Sequence, residues 1–526
     1  MTSILKYLNR ALLVLLLTAF AACSDNEGGN ESNGNGDDGN TETPADGDTY
    51  GYIKDTNGNP VEGVVVSDGY SCTATDAEGR YALTRNADAG FVFYSLPSAY
   101  KVSVDKTYKL PRFFARLQAG TARYDFTLEA LAAPEKRFDL ICIGDPQINE
   151  ASHAVRFKEE AGREIREYAA SAGVPCYGIT LGDHVNNKWT LFTNMVVALQ
   201  PEQTGVPVFA TIGNHDHEFP TADEKAARAK YESYFGPVDY SFNRGDVHVV
   251  SMDNVIHSCK ASADYEGGFT AAQYAWLKQD LSFVPKDKMV ILCVHIPFRG
   301  GWGTNSAHAD ADKYYDEVLD LLSQYEYAAI MSAHTHSNIN YIHRKNGKEI
   351  FEHVTGTTCG AWWRSTVCTE GTPIGFGLYR IDGNRMEEWA YRSVRHDEQS
   401  QIRLYRASDT FVGGAKYRFK QTGADQIVAN IWNWDPSWTV NVYENDVLSG
   451  QMTRNSDIDA WTVAYHIGLL NNTDSYRKSS DHMFHYTLKN PAAAVRVEAI
   501  DRFGNKYEQT VFTDPDSHPG IYHLDY

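Results

Sequence analysis

Residue types that can bind metals follow five separate apolar segments of this 526-residue sequence. Each segment reads as a buried strand, and the five motifs that follow are GDPQ, GDH, GNHD, VHIP and AHTH. Their polar residues are Asp145, Gln147, Asp183, Asn214, His215, Asp216, His295, His334 and His336. Any one motif is weak evidence, because an Asp after a Gly is usually turn chemistry and a lone His is usually structural. Together they predict mixed nitrogen and oxygen coordination, which suits Mn, Fe or Zn.

The elements that must position these side chains lie between about residues 135 and 395. Apolar runs such as FDLICIGD, YGITLGD, VPVFATIGN and MVILCVHIP alternate with stretches that read as helices. This alternation predicts an α/β domain in which layered β-sheets are flanked by helices. Ligand sites in such sheets lie beyond the carboxyl ends of the strands. We therefore expect the motif residues to converge on one point above the sheet.

Taken in order, the motifs resemble those of the calcineurin-like metallophosphoesterase family: Asp-x-His, GD, GNH followed by Asp or Glu, a His, and GHxH. The resemblance covers roughly residues 137–390 and departs from the pattern at two positions. Ala333 replaces the first Gly of GHxH, which is a small change, and Gln147 replaces the His of the first motif. An amide oxygen is a neutral and weaker donor than imidazole, so we expect one metal to be bound more loosely.

The resemblance implies two metal ions and assigns a role to each motif residue. One metal would be bound by Asp145, Asp183 and His336, with Gln147 in the position of the missing His, and the other by Asp183, Asn214, His295 and His334. A bridging carboxylate offsets the repulsion between cations about 3.5–4 Å apart. The implied reaction is hydrolysis of a phosphate mono- or diester by a metal-bound hydroxide. His215 would stabilise the transition state or protonate the leaving group, and Asp216 would orient His215.

Two loops that follow the motifs are rich in Trp and Arg. These residues are Arg299, Trp302, Trp362, Trp363 and Arg364. Two interpretations stay open: the side chains anchor the loops by packing, or they form the rim of a substrate pocket. In a pocket, aromatic rings would stack on a sugar or base and Arg would bind phosphate in a fork. The second interpretation favours a nucleotide, a phospho-sugar or a phospholipid headgroup as substrate.

The charge of the chain restricts its partners. A formal net charge of −20 argues against binding to a nucleic-acid polymer, which usually requires a basic surface. It does not exclude a small phosphorylated substrate, because bound cations reverse the field locally. The sequence leaves the oligomeric state open.

The N-terminal segment predicts export and a lipid anchor. Residues 1–23 have basic residues, an apolar run too short to span a membrane, and the ending FAAC, which resembles a lipoprotein signal peptide with Cys23 as the lipidated residue. Plain cleavage elsewhere stays open, since Phe20 replaces the usual Leu. The acidic segment 24–49 predicts a disordered linker. We expect a protein anchored to a bacterial outer membrane, facing the periplasm or the cell surface.

Two β-rich regions flank the core. Residues 50–130 resemble a small carboxypeptidase-regulatory-like β-sandwich, and residues 396–526 read as a second β-sandwich. The second region contains four tryptophans that either fill its interior or stack on carbohydrate: Trp432, Trp434, Trp438 and Trp461. The alternative function is therefore a non-catalytic lipoprotein that binds glycan or protein at the cell surface, on a phosphoesterase scaffold.

Seven cysteines follow Cys23. Cys142 and Cys293 lie inside apolar strand runs, where Cys behaves as a small hydrophobe. Cys359 and Cys368 bracket a short loop, and both a disulfide and a pair of free thiols stay open for an exported protein. The sequence has no CxxC pair, which argues against a structural zinc site.

Overall fold

The structure of the chain is a computed structural model, described here over residues 47–262, 264–299, 313–409, 423, 425–472, 476, 478–510 and 512–513. The predicted signal peptide, Cys23, most of the predicted linker and Trp302 lie outside these residues. Within the described part of the chain, no helix combines the length and the apolar character needed to cross a membrane.

The N-terminal domain consists of two small β-sheets around an apolar interior. Its strands are β1 Thr49–Asp55, β2 Val65–Ser67, β3 Cys72–Ala74, β4 Arg80–Leu83, β5 Phe91–Tyr94, β6 Phe114–Arg116 and β7 Phe126–Leu128. One sheet has the order β4-β1-β7 and the other β3-β2-β5-β6. The apolar interior continues into the next domain, where the Trp276 indole N–H donates to Ser67 Oγ at 3.0 Å and the Trp276 ring meets Phe93 edge-on. The N-terminal domain is therefore packed firmly on the core domain.

Two larger sheets form the centre of the core domain. The strands are β8 Arg137–Ile143, β9 Cys176–Leu181, β10 Val208–Thr211, β11 Tyr240–Arg244, β12 Val247–Ser251, β13 Val255–His257, β14 Tyr265–Gly267, β15 Met289–Cys293, β16 Tyr327–Ser332, β17 Ile339–Lys345, β18 Lys348–Val354, β19 Gly375–Asp382 and β20 Arg385–Ser393. One sheet has the order β10-β9-β8-β19-β20, the other has the order β11-β12-β15-β16-β18-β17, and β13 pairs with β14. Strands β8, β9 and β10 are parallel to one another, as are β12, β15, β16 and β18, and β19 is antiparallel to both of its neighbours. The central parallel strand β15 is wholly buried, as expected for a sheet covered on both faces.

Helices connect and cover these strands. They are α1 Ala151–Phe157, α2 Arg163–Ser171, α3 Phe192–Leu199, α4 Pro201–Thr204, α5 Glu224–Phe235, α6 Ala271–Ser282 and α7 Tyr315–Leu322. Local signals start the longer helices: Asp223 accepts from the Ala226 N–H at the start of α5, and Thr270 and Gln273 form a capping box at the start of α6. The predicted fold class, layered sheets flanked by helices between two β-rich regions, is confirmed.

The expectation that the motif residues converge above one sheet is wrong. The first three motifs follow β8, β9 and β10 of the five-stranded sheet, whereas VHIP and AHTH follow β15 and β16 of the six-stranded sheet. An apolar run of five or six residues specifies a buried strand but not the sheet that it joins. The site therefore lies where the carboxyl ends of two sheets meet.

The C-terminal domain contains two four-stranded sheets. Its elements are β21 Ile402–Arg406, β22 Gln426–Ile431, β23 Thr439–Glu444, β24 Val447–Gln451, β25 Thr453–Ile458, α8 Ala460–Val463, β26 Ser479–Thr487, β27 Val495–Ile500 and β28 Lys506–Gln509. The sheets have the orders β21-β22-β26-β25 and β24-β23-β27-β28.

The four tryptophans of this domain pack against protein. Trp438 stacks on Tyr507, and the Arg403 guanidinium lies 3.9 Å from the Trp461 ring centroid and 5.6 Å from that of Trp432. The Trp434 ring meets Phe484 edge-on (centroids 5.7 Å apart) and lies 4.6 Å from the Arg454 guanidinium. These contacts favour the packing interpretation over carbohydrate stacking.

Candidate metal centre

Five of the seven candidate ligands adopt left-handed backbone conformations, which residues other than Gly seldom do. The φ angle is 38° at Asp145, 37° at Gln147, 53° at Asp183, 67° at His334 and 56° at His336. Such strain persists only where the surrounding structure enforces it, and it is concentrated at functional sites. The backbone thus turns sharply at each strand end and aims the side chains at a common centre.

Two glycines allow the ligand loops to come close together. A Cβ atom at Gly182 would lie 2.5 Å from His295 Nδ1, and one at Gly213 would lie 2.3 Å from Asp183 Oδ1. Both distances are far inside van der Waals contact. The Gly of GDH and the Gly of GNHD are therefore required by tertiary packing as well as by the turns in which they lie.

One set of ligands is closely packed, and we call it the two-histidine group: Asp183, Asn214, His295 and His334. His295 Nε2 lies 3.0 Å from Asn214 Oδ1, 3.1 Å from His334 Nδ1 and 3.3 Å from Asp183 Oδ1. Ligand atoms that lie about 2.0–2.2 Å from one cation are separated by about 3 Å from each other. The spacing of the group therefore fits one bound metal ion.

Contacts outside the two-histidine group orient its imidazoles. His295 Nδ1 donates to the Leu181 carbonyl oxygen at 2.7 Å, and His334 Nε2 lies 3.3 Å from the Tyr265 hydroxyl. These contacts leave His295 Nε2 and His334 Nδ1 facing each other at 3.1 Å. A cation between them satisfies both nitrogens at once, as is usual for histidine ligands whose other nitrogen is hydrogen-bonded.

The remaining ligands, Asp145, Gln147 and His336, form a looser set that we call the glutamine group. His336 Nε2 lies 3.6 Å from Asp145 Oδ1, and Gln147 Nε2 donates to Asp183 Oδ2 at 3.3 Å. Asp145 Oδ1 and Gln147 Oε1 are buried without any hydrogen-bond partner. Buried oxygen atoms are seldom left unsatisfied, so this pair fits a second cation. Asp183 contacts both groups and is placed to bridge two ions.

The charges at the centre depend on burial and on one ion pair. Burial raises the pKa of Asp145 to about 8 and lowers the pKa of His336 to about 3 and that of His334 well below its usual value. Burial would also lower the pKa of His295, but Asp183 and Asp145 raise it to about 9. Burial would raise the pKa of Asp183, but His295 and His215 hold it below its usual range. Near pH 7 an ionised Asp183 therefore lies beside neutral His334 and His336, whereas His295 must lose a proton when it binds a cation.

The expectation that Asp216 orients His215 is wrong. Asp216 is fully buried and binds the imidazole of His184, with Oδ2 2.9 Å from Nδ1, and it also accepts from the backbone N–H groups of Gly213 and His184. His215 Nδ1 instead lies 2.9 Å from Asn187 Oδ1. The reason is the tight turn at residues 214–216, which directs adjacent side chains to different sides.

A cleft of about 60 Å³ opens above the ligands. It is lined by ligand residues of both groups and by His215, Tyr265, Trp362, Thr369 and Lys478. Tyr265, Lys478 and Asn187 were missed by sequence reasoning. Lys478 and Tyr265 lie far from any motif, and only Asn187, in the polar run after GDH, offered a local signal.

Of the proposed substrate-pocket residues that the structure describes, a set that does not include Trp302, Trp362 alone lines this cleft. Its ring packs on His336, with centroids 4.8 Å apart. Trp363 is buried, and its indole N–H donates to the Pro146 carbonyl oxygen at 2.9 Å. The expected pocket role of Trp363 is therefore corrected to a packing role.

The two arginines of that prediction also point elsewhere. Arg364 is exposed and donates to Asn472 Oδ1 at 3.2 Å, and the Arg299 guanidinium lies 5.6 Å from the Tyr341 ring centroid. Neither lines the cleft. The side chains of adjacent loop residues point in different directions because Trp362 and Trp363 both have left-handed backbone conformations. The sequence gives no signal for these conformations.

Cys359 and Cys368 are free thiols in the structure. Both are buried and both contact the Thr357 hydroxyl, at 3.6 Å and 3.7 Å. Cys359 Sγ also lies 4.0 Å from His336 Nδ1. The loop after β18 is therefore packed beneath the glutamine group without a disulfide.

The layered α/β fold and the two ligand groups at the strand ends define a protein built to bind metal ions. Residues 48–131 match the N terminal of Calcineurin-like phosphoesterase, residues 124–338 match Calcineurin-like phosphoesterase, and residues 352–507 match the C terminal of Calcineurin-like phosphoesterase. These matches together cover most of the sequence. The chain belongs to the calcineurin-like phosphoesterase family.

Similarity to individual proteins is more limited. Over 181 residues the chain is 26% identical to purple acid phosphatase 23 of Arabidopsis thaliana. This alignment covers 31% of this chain and 36% of that protein. Over 182 residues the chain is 25% identical to purple acid phosphatase 18 of the same plant, covering 32% and 38%. A solved 5'-nucleotidase from Candida albicans has a TM-score of 0.31 and 13% identity, with 49% of this chain and 52% of that chain covered. The matched part of this chain thus spans little more than a third of the curated relatives.

Proposed function

We propose that this chain hydrolyses esters of phosphoric acid with the help of two metal ions, held by the two-histidine group and the glutamine group. The observation that carries the proposal is the convergence of seven metal-ligating side chains from five strand ends, with Asp183 in contact with both groups. Family membership supports the same reaction. The mixed nitrogen and oxygen ligands favour Mn, Fe or Zn.

The fit of the ligands supports two ions rather than one. The facing nitrogens of His295 and His334 are spaced to bind one cation, and the unpartnered oxygens of Asp145 and Gln147 fit another. When bound, such a pair of ions lowers the pKa of water and neutralises phosphoryl oxygens. Asp183 offers one carboxylate to both positions, which reduces the repulsion between two cations.

The residues around the ions have separate tasks. The Leu181 carbonyl oxygen and the Tyr265 hydroxyl orient the two imidazoles of the two-histidine group. His215 lines the cleft, and its Nδ1–H donates to Asn187 Oδ1, so Nε2 is the nitrogen that can gain or lose a proton. In its imidazolium form, with both nitrogens protonated, His215 can donate a proton or a hydrogen bond from Nε2 to the oxygen that leaves the phosphorus.

The ligand set departs from the family pattern only at Gln147, which favours catalysis over the alternative of a binding lipoprotein on a non-catalytic scaffold. A scaffold without activity has no need for strained backbones at five ligand positions. The protein contacts of Trp434, Trp438 and Trp461 give the alternative of glycan binding less support.

The test is hydrolysis of p-nitrophenyl phosphate and bis-p-nitrophenyl phosphate by the chelated protein, and again after Mn, Fe or Zn is restored. We expect no turnover after chelation and recovery with at least one metal. Turnover that persists in chelator, or that never appears with any metal, would count against the proposal. The small phosphorylated compound that is the natural substrate is not specified by these two reagents.

Export and lipid anchoring rest on the N-terminal sequence, and we propose them on that basis. Cys23→Ser should move the expressed protein from the membrane fraction to the soluble fraction of a bacterial host. The same distribution for both proteins would refute lipidation at Cys23.

A further inference from the structure

The cleft receives one residue from the C-terminal domain. Lys478 lies directly before β26 and is the only Lys or Arg among the described residues that line the cleft. The side chain is partly buried, and burial lowers its pKa, so protein rather than water surrounds part of it. A lysine at the mouth of a metal centre provides a point charge that a bound anion can reach.

Tyr476, two residues before Lys478, packs against Trp362, the residue that covers His336 of the glutamine group. The Tyr476 ring meets the Trp362 ring edge-on, with centroids 5.4 Å apart, and Trp362 in turn packs on His336. Tyr476 and Ala361 also belong to one apolar cluster that includes Ile467. Lys478 is therefore held at a defined position relative to the metal ligands.

Polar contacts join the same two segments. His466 Nε2 lies 2.8 Å from Ser365 Oγ, and Asn472 Oδ1 accepts from Arg364 at 3.2 Å. The loop after β18 is therefore joined by hydrogen bonds to residues His466 and Asn472 of the C-terminal domain. The C-terminal domain is thereby part of the cleft instead of an appended module.

We propose that Lys478 binds a phosphoryl oxygen of the substrate and makes the enzyme prefer phosphomonoesters to phosphodiesters. This inference rests on the proposed phosphoester hydrolysis. A monoester carries between one and two negative charges near pH 7, because its second pKa is about 6, whereas a diester carries only one. An ammonium group in a partly desolvated cleft favours the ligand of higher charge.

The number of terminal oxygens on phosphorus supports the same preference. A monoester has three terminal oxygens, so one remains for a protein cation when the metals bind others. A diester has two terminal oxygens and a second ester group, so it offers fewer charged oxygens to the same cleft. We therefore expect Lys478 to interact more strongly with a monoester than with a diester.

The test compares Lys478→Met with the unchanged protein on p-nitrophenyl phosphate and bis-p-nitrophenyl phosphate, each with the activating metal. We expect KM for the monoester to rise roughly tenfold or more, since a hydrogen bond to a charged group is lost. KM for the diester should change by less than about threefold. Equal changes for both esters, or no change for either, would overturn the inference.

Two variants separate substrate binding from folding. Lys478→Arg keeps the cation and should restore most of the monoester preference. Lys489→Met removes a lysine from the same domain, where it contacts the Ser449 carbonyl, and should leave both KM values unchanged. If Lys478→Arg behaves like Lys478→Met, a general packing role replaces the proposed contact.

Binding of inorganic phosphate distinguishes failure of this inference from failure of the proposed function. Calorimetry with the metal-loaded protein should show weaker phosphate binding by roughly tenfold in Lys478→Met. Loss of phosphate affinity in a protein that hydrolyses neither ester would refute the proposed function and support the role of Lys478. Unchanged phosphate affinity in an active protein would refute the role of Lys478 and leave the function intact.

Discussion

The two-histidine group and the glutamine group differ in how closely the protein holds their ligand atoms in position. In the two-histidine group, His295 Nε2 has three ligand atoms within 3.3 Å, and both imidazoles are oriented by contacts outside the group. In the glutamine group, the contact between His336 and Asp145 is 3.6 Å and two buried oxygens have no partner. The difference indicates one preorganised metal site and one that depends on its ion for completion.

The donors follow the same division. The two-histidine group offers two imidazoles and an amide oxygen besides Asp183, whereas the glutamine group offers one imidazole, one carboxyl and the weaker amide oxygen of Gln147. Burial also raises the pKa of Asp145 to about 8, so that carboxyl must lose a proton when an ion binds. We expect the two-histidine group to bind its metal more tightly.

The largest effect should come from the residue that both groups share. Asp183→Asn should lower kcat by roughly 10³-fold, because it removes the bridging charge, and both metals should be lost together. Steady-state hydrolysis of p-nitrophenyl phosphate and metal analysis test this. As a control, Asp139→Asn changes another buried Asp, one that accepts from the Tyr168 hydroxyl, and should keep full metal content. Retention of one metal by Asp183→Asn would contradict the shared role.

Stepwise chelation should remove metal from the two ligand groups at different chelator concentrations. We expect metal to leave in two phases whose chelator requirements differ by roughly 10–100-fold, with the glutamine group emptying first. Metal content after dialysis at graded chelator concentrations measures the phases. Asp145→Asn should remove the weaker phase alone, and Asn214→Ala should weaken the tighter one. A single phase in the unchanged protein would show that the two groups are equivalent.

Gln147→His should reduce the difference in metal affinity between the two-histidine group and the glutamine group. An imidazole at this position should tighten the weaker phase by roughly tenfold and leave kcat within about threefold of its original value. Asn149→His introduces the same side chain on the same loop, but at an exposed position, and should change neither quantity. If metal affinity is the same in Gln147→His, then Gln147 is not a ligand.

The smallest effect should come from Asn187, which contacts the His215 imidazole. His215 is linked to the two-histidine group because its backbone N–H donates to Asp183 Oδ1 at 2.9 Å. Asn187→Ala should lower kcat by roughly fivefold with unchanged metal content, because His215 loses the contact that orients it. The same steady-state assay, with metal analysis, measures both.

Asp216→Asn provides the contrast for that variant. Asp216 holds buried His184 and the Gly213 N–H, so its change should lower the free energy of unfolding by about 1–3 kcal/mol. Denaturant unfolding measures this loss. An Asn187→Ala variant as destabilised as Asp216→Asn would show that both residues are structural.

The fold class could be predicted because its evidence is local. Alternating apolar strands and helical stretches fall close to the observed elements, as with β15 Met289–Cys293 within MVILCVHIP. The pairing of those strands in two sheets could not be predicted, since pairing depends on contacts between residues distant in the chain. The roles of Trp363 and Arg364 were missed for a related reason: at adjacent positions, left-handed backbones decide which way each side chain points.

The sequence by itself determined the chemistry of this protein: which residue types follow the strands, that their order resembles the calcineurin-like pattern, and that Gln147 is a weaker donor than the His it replaces. Tertiary structure alone decided how these residues are combined. It joined two sheets at one site, assigned Asn187 to His215 and Asp216 to His184, and brought Lys478 from the C-terminal domain to the cleft. Residue identity sets what a side chain can bind, whereas long-range packing sets which partner it meets.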